Sequence, residues 1–271
     1  MPALNAISPD KLLRLIGTPS CPRILDLRAG PQLIPSSVPM TPEAVRSAPQ
    51  DFAGSAWVVV CRGGHETSQG TAAWLRSNGV KAEILEGGFG EWRSRAYPLV
   101  DAAKLPPRDP TGRTYWVTRS RPKVDRIACP WLIRRFVDPD AVFLFVAPPE
   151  VEKVAAEFSG APFDVDGVFW SHRGELCTFD AMLAELGLIE FDALARLAVI
   201  VRGADTARPD LAPQSAGLLA ASLGLSRMFA DDLDQLEAGM TLYDALYRWC
   251  RDAVDETHDW VSHTPKRKQL A

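Results

Sequence analysis

The stretch Trp57 to Ser68, reading WVVVCRGGHETS, constrains this chain more than any other. Trp57-Val58-Val59-Val60 is a run of aromatic and β-branched residues without polar alternation, the pattern of a central parallel strand buried on both faces. The chain leaves that strand at Cys61, turns through Gly63-Gly64 and enters a helix marked by Thr71-Ala72-Ala73-Trp74-Leu75. A cysteine between a strand end and a helix start faces backbone N–H groups and the positive end of a helix dipole, both of which lower a thiol pKa. The competing reading is an inert cysteine packed for its apolarity. Gly63 and Gly64 favour the reactive one, because a loop whose N–H groups converge on one anion needs the conformational freedom of glycine.

The flanking sequence alternates between strand and helix signals. Ser8-Pro9 caps a helix whose apolar stripe, Leu12, Leu13 and Ile16, stops at Gly17. Strands are expected at Ile24 to Leu27, 57 to 60 and Ala82 to Leu85, with helices over 67–77 and from Phe89. Prolines at 31, 35, 39 and 42 predict an ordered surface loop between the first two strands. This order implies an α/β unit, a parallel sheet with helices on both faces. Asp101 to Gly112, DAAKLPPRDPTG, has no periodicity and reads as a linker. The expected organisation is therefore a first domain over 1–100, a linker over 101–113, a second domain over 114–255 and a polar tail over 256–271, with the two domains folding separately.

The second part reads as helix-rich α+β. Tyr115 to Thr118 and Val142 to Val146 look like strands, and Pro130 can open a helix whose apolar face carries Leu132, Ile133 and Phe136. Phe179, Met182, Leu183 and Leu186 keep helical spacing behind a Thr178 cap, as do Tyr243, Leu246, Tyr247 and Cys250 further on.

Charge and cysteine usage narrow the function classes. The 271 residues carry a net charge of −4, and no helix-turn-helix or comparable nucleic-acid reader stands out. Five scattered cysteines without a CxxC pair argue against a disulfide framework and against a thiolate zinc site. No stretch approaches the roughly 18 apolar residues of a membrane span, and the start lacks a secretory pattern, so a cytoplasmic protein is expected.

Against that acidic background, Arg119 to Phe136 holds six basic residues and one acid, Asp125. Guanidinium groups bind tetrahedral anions bidentately, so Lys123, Arg126, Arg134 and Arg135 are candidates for an oxyanion site. The alternative is a solvated helix face whose arginines pair with Asp138 and Asp140. Downstream, SHRGELCTFD gathers His172, Glu175, Cys177 and Asp180, and Asp205 follows. Imidazole, thiolate and carboxylate together suit zinc or iron, so His172, Cys177 and Asp205 are a candidate ligand set; the alternative is an ordinary turn.

Two resemblances then attach to these residues. Residues 57–98 resemble the second half of a rhodanese domain: the strand, the Cys61 loop, the helix with paired alanines, Leu85-Glu86-Gly87-Gly88, Trp92 and Pro98, with Asp26-Leu27-Arg28 similar to that family's Asp-x-Arg signature. The resemblance implies a sulfurtransferase in which Cys61 carries a persulfide and Arg62, Gly63, Gly64, His65, Glu66, Thr67 and Ser68 bind the substrate. Its partners would be thiosulfate or another sulfane-sulfur donor and a thiol acceptor, with no cofactor required. The segments DRIACPWLIRRFVDPDAVF at 125–143, FWSHRGELCTFD at 169–180 and IVRGAD at 200–205 resemble the C-terminal domain of ChrB-type chromate-resistance proteins. That likeness implies a role in chromate or oxyanion stress, with chromate as a ligand. An oxyanion reductase is the alternative chemistry for the Cys61 loop. A non-catalytic oxyanion sensor is the alternative class, since Glu66 adds negative charge where an anion would enter and the basic run would attract one.

Overall fold

The computed structural model describes residues 5–256. Its strands are β1 (Ala6–Ile7), β2 (Arg23–Asp26), β3 (Gln32–Leu33), β4 (Ser37–Pro39), β5 (Ala56–Val60), β6 (Lys81–Leu85), β7 (Val100–Asp101), β8 (Tyr115–Arg119), β9 (Val142–Val146) and β10 (Ala161–Pro162). Its helices are α1 (Pro9–Leu15), α2 (Pro42–Ser47), α3 (Glu66–Ser77), α4 (Gly88–Ser94), α5 (Val124–Phe136), α6 (Val151–Glu157), α7 (Thr178–Glu185), α8 (Asp192–Asp205), α9 (Pro213–Met228) and α10 (Asp232–Asp252). Apart from Glu256, the polar tail expected at 256–271 lies outside the described residues.

The first unit is the expected α/β layer structure. Its five-stranded sheet runs β1-β6-β5-β2-β4 with every pair parallel, and β5 lies at its centre. The unbroken apolar run of β5 follows from burial of both faces. Trp57 and Val59 pack with Leu75, Phe52 and Val45 on one side, whereas Val58 and Val60 join Leu12, Ile16 and Trp92 on the other. The proline-rich segment departs from the expected loop. Val38 pairs in β4 at the sheet edge, where Pro39 removes no needed donor, and Thr41 caps α2 by accepting from the N–H of Ala44.

The second unit is helix-rich around a three-stranded parallel sheet, β10-β8-β9. Helix α5 begins at Val124, six residues before Pro130, so this proline sits inside the helix instead of opening it. Both faces of α5 are covered, with Ile127, Cys129, Trp131, Leu132, Ile133 and Phe136 all buried, and that packing holds the helix through the missing N–H. Cys250, read as core, is buried on α10 with Tyr243 and Tyr247.

The two units share one apolar core. Ile16, Ile24 and Trp92 belong to the same buried cluster as Trp131, Phe136 and Tyr247. Gly17 ends α1 at φ +80°, and a Cβ there would lie 2.3 Å from Phe136 Cζ, so the backbone of the first unit rests directly on a ring of the second. The backbone N–H of Ser36 donates to the carbonyl of Phe136 at 2.6 Å. The segment expected as a loose linker is itself tied down at both sides. Ala102 N–H donates to Pro31 O at 2.7 Å, Lys104 pairs with Glu185 at 2.7 Å and Arg108 with Asp138 at 3.2 Å. Limited proteolysis of the full chain is therefore expected to spare 101–113 in its first cuts, because a protease needs locally unfolded backbone that these bonds hold closed. Early cleavage there, ahead of every other site, would show the units to be loosely joined.

Candidate functional site

Cys61 ends β5, and the loop that follows wraps its sulfur. As a thiol, Cys61 Sγ donates to Ser68 Oγ at 3.1 Å, and as a thiolate it accepts from that hydroxyl; the N–H of Gly64 donates to Sγ at 3.2 Å. Helix α3 begins at Glu66 and aims its first N–H groups and its dipole at the same point. Burial pushes the Cys61 thiol up, but the bonds from the Ser68 hydroxyl and from the N–H groups of Ser68, Gly63 and His65 outweigh it, leaving the thiol below its ordinary value. The loop is braced from behind by the Gly87-Gly88 turn, where Phe89 N–H donates to Cys61 O at 2.9 Å and Gly90 N–H to Arg62 O at 2.8 Å. Arg62, His65, Glu66 and Thr67 are exposed around the rim, while Gly64 and Ser68 are buried beside the sulfur. His65 reaches the sulfur through its backbone N–H, and its ring lies over Gly63. At the base of the loop, Asp26 is fully buried and holds Arg28 by a bidentate pair at 3.0 and 2.6 Å, with the Arg28 guanidinium over the Phe89 ring.

The other cysteines have the opposite electrostatics. Burial pushes Cys21 up to about 12 and Cys250 up to about 11, and raises Cys129 and Cys177 as well. Among the described thiols, Cys61 alone is lowered.

The basic run does not assemble the expected oxyanion site. Arg135 forks onto Asp244 with two bonds of 2.8 Å, and Arg134 pairs with Glu237, both on α10. Arg126 turns the other way, onto Asp164 at 3.2 Å and the carbonyls of Arg119 and Ser120. Lys123 is exposed at the start of α5. Arg135 is held bidentately and Arg134 and Arg126 each pair with a carboxylate, so these arginines brace neighbouring elements of the fold. Asp138 and Asp140, the partners expected in the alternative reading, are engaged by Arg108 and Arg23.

What the second unit does assemble is a carboxylate–imidazole cluster. His172 Nε2 lies 3.7 Å from Asp125 Oδ2, 3.4 Å from Asp164 Oδ1 and 3.2 Å from Asp205 Oδ2. The side chains of Asp125 and Asp164 are only 1% and 7% exposed, whereas that of His172 is 42% exposed. Asp125 Oδ2 accepts from the N–H of Thr178 at 2.6 Å and of Phe179 at 3.3 Å, at the start of α7. Asp164 accepts from Thr178 Oγ1 and faces both Arg119 and Arg126. Burial, then the charges of Asp205 and Asp164, push the Asp125 carboxyl well up, and burial with Asp164 raises Asp205.

Of the expected ligand set, His172 and Asp205 meet, while Cys177 takes another part. Its thiol is buried, held neutral first by burial and then by the charges of Asp125 and Asp180, and it donates to Asp180 Oδ2 at 3.3 Å. Cys177, not Thr178, is the N-cap of α7, with its own N–H donating to Asp180 at 3.1 Å. Asp125 and Asp164 were missed because Asp125 counted only as the lone acid of a basic run. A signal was present: Asp125, Cys129, Leu132 and Phe136 fall on one helical face, which puts a carboxylate on an apolar stripe.

Comparison with known proteins places the second unit. Residues 116–250 match the family model described as ChrB, C-terminal domain. The chain is 37% identical over 149 residues to Protein ChrB of Cupriavidus metallidurans, an alignment covering 54% of this chain and 44% of that protein, so the match spans less than half the length of that relative. Among solved structures, a rhodanese-related protein from Thermoplasma volcanium aligns with 36% of this chain and 98% of its own, at 22% identity and a TM-score of 0.32. A thiosulfate sulfurtransferase from Pseudomonas aeruginosa aligns with 38% of this chain and 21% of its own, at 21% identity and a TM-score of 0.32.

Proposed function

With residues 116–250 a ChrB C-terminal domain, preceded by a parallel α/β unit that closes a cysteine loop, we propose that the chain is a sulfurtransferase-like protein of the chromate or oxyanion stress response, with Cys61 as its sulfur carrier. The observation that carries this reading is the convergence of loop N–H groups and the Ser68 hydroxyl on one sulfur whose thiol they lower. In the forward half-reaction, the Cys61 thiolate attacks the sulfane sulfur of a donor such as thiosulfate. The donor S–S bond breaks, sulfite leaves with the electron pair, and Cys61 holds a persulfide. An acceptor thiolate then attacks the outer sulfur, the persulfide S–S bond breaks, and the Cys61 thiolate is restored. The same N–H groups that favour the thiolate are placed to favour the persulfide anion, so both states of the carrier are accommodated without rearrangement.

Exposing the full chain to thiosulfate is expected to add the mass of one sulfur atom at Cys61, and Cys61→Ser is expected to abolish the addition. The uptake rate should rise with pH and level off below the range of an ordinary thiol, whose value is 9.0, because a lowered pKa means the thiolate is already the main form there. Equal labelling of Cys129 or Cys177, or a rate still climbing past that value, would remove the special status of the loop. One observation favours a second reading, in which the first unit does not turn over and the protein senses an oxyanion. Glu66 is exposed in the first turn of α3, where its carboxylate opposes an incoming anion. Chromate or sulfate binding without any persulfide at Cys61 is the outcome that reading requires.

A further inference from the structure

We propose that Asp125, Asp164, Asp205 and His172 form a site for one divalent transition-metal cation in the second unit, independent of the sulfur chemistry at Cys61. Three separate parts of the fold deliver these groups: Asp125 from the first turn of α5, Asp205 from the last residue of α8, and Asp164 and His172 from the segment between β10 and α7. Carboxylates gathered this closely repel one another, and a fold that keeps them together needs a proton or a cation among them. Arg119 and Arg126 address Asp164 alone, at 3.2 Å each, and leave Asp125 and Asp205 without a guanidinium partner among the described residues.

A second observation singles out a ligand. Asp125 Oδ1 is buried, and among the described residues nothing hydrogen-bonds to it, although the other oxygen of the same carboxylate takes two backbone N–H groups. A buried carboxylate oxygen left without a donor is costly, more so if it is charged, and a cation held by this carboxylate, whose Oδ2 faces His172, would offset that cost. Spacing agrees as well. Metal bonds of about 2.0–2.2 Å in a tetrahedral array place neighbouring ligand atoms roughly 3.3–3.6 Å apart. The three contacts from His172 Nε2 are 3.2, 3.4 and 3.7 Å, and Asp125, Asp164 and His172 can each offer a ligand atom within 4.8 Å of the others.

The donor set fixes the class of ion. Carboxylates with one imidazole suit Mn²⁺, Fe²⁺ or Zn²⁺, whereas a thiolate-preferring site would need Cys177, which stays a neutral thiol bonded to Asp180. Thr178 serves as the supporting partner, its N–H on Asp125 and its hydroxyl on Asp164, which orients both carboxylates before any ion arrives. Half-exposed His172 forms the outer wall, so the ion would enter past it.

The test is equilibrium dialysis of the chelator-stripped full chain against Zn²⁺ and Mn²⁺ separately, followed by metal analysis. One equivalent of at least one ion per chain is expected. His172→Ala and Asp205→Asn should each weaken that binding by more than about tenfold, since even changes to outer partners of a metal ligand act on that scale. Both positions are partly exposed, so far-UV circular dichroism of these variants should match the parent. Cys61→Ser and Cys177→Ser should keep the full equivalent. Failure of both ions to bind the parent would overturn the proposal. So would binding unchanged in His172→Ala and Asp205→Asn together, or binding lost in Cys177→Ser. Persulfide formation at Cys61 is measured separately, and neither result decides the other.

Discussion

Replacing Phe136 by alanine is expected to destabilise both units together, by about 3–5 kcal/mol, the range for removing a buried Phe side chain. The ring is fully buried at the end of α5, with ring centroids 5.8 Å from Trp131, 5.4 Å from Phe191 and 5.5 Å from Tyr247. It also carries the first unit, since the Gly17 backbone presses on its edge. Truncation leaves a cavity that no rotation of these neighbours fills, because the aromatic cluster is held by Trp131 Nε1 donating to Asp244 at 2.8 Å and by Tyr243 Oη donating to Val124 O at 3.0 Å. The loss is comparable to the whole stability of a typical domain, about 5–15 kcal/mol. Native-state hydrogen exchange measures it at two places, the amides of β5 and those of β8. Both should lose protection by the same amount. A drop confined to β8, with β5 unchanged, would mean that the shared core does not couple the units.

The second large effect is expected from Gly88→Ala, at a residue packed behind the cysteine loop. Gly88 has φ +58°, and a Cβ there would lie 2.5 Å from Cys61 O, 2.6 Å from Gly64 N and 3.0 Å from Arg62 C. All three atoms are backbone, so the new methyl cannot be accommodated by turning a side chain and the cysteine loop itself must move. The left-handed conformation adds roughly 1–2 kcal/mol of strain for any L residue. Moving the loop pulls the Gly64 N–H off the sulfur and takes Ser68 with it, which removes the bonds that lower the thiol. Alkylation of Cys61 by iodoacetamide at pH 7 should therefore slow toward the rate of an ordinary thiol, while far-UV circular dichroism stays that of the parent. Gly70→Ala is the control. It lies on the exposed face of α3 with no atom within 4 Å of a Cβ, and it should gain up to about 1 kcal/mol of helix stability without touching the alkylation rate. Equal alkylation of the parent and Gly88→Ala would show that the thiol owes nothing to the shape of its loop.

Some of this architecture was open to reading from the residues alone. The buried central strand, the Cys61 loop and the helix behind it follow from an apolar run, two glycines and a helical pattern, all set by neighbours a few positions away. Helix α5 shows where that reasoning slips. Pro130 is a good first residue for a helix in isolation, yet the helix starts six residues earlier because packing on every side outweighs one missing hydrogen bond. The prolines of 31–42 predict a loop in isolation, yet part of that segment pairs as an edge strand, which tolerates a missing donor that a central strand does not.

Local pattern determined, then, that a cysteine sits where a helix start can hold its thiolate, and that a basic run and a His–Cys–Asp-rich turn exist. Which charges face each other was decided only by the tertiary structure. Arg134 and Arg135 meet Glu237 and Asp244 about a hundred positions away, and Asp125 meets Asp205 across 80, because the crossings of α5, α8 and α10 set those distances and no sequence spacing does. The same crossings press Gly17 onto Phe136 and merge two expected domains into one core. Charges and apolar faces are read off a sequence one by one, but attraction falls off with distance in space, and only the folded chain fixes that distance.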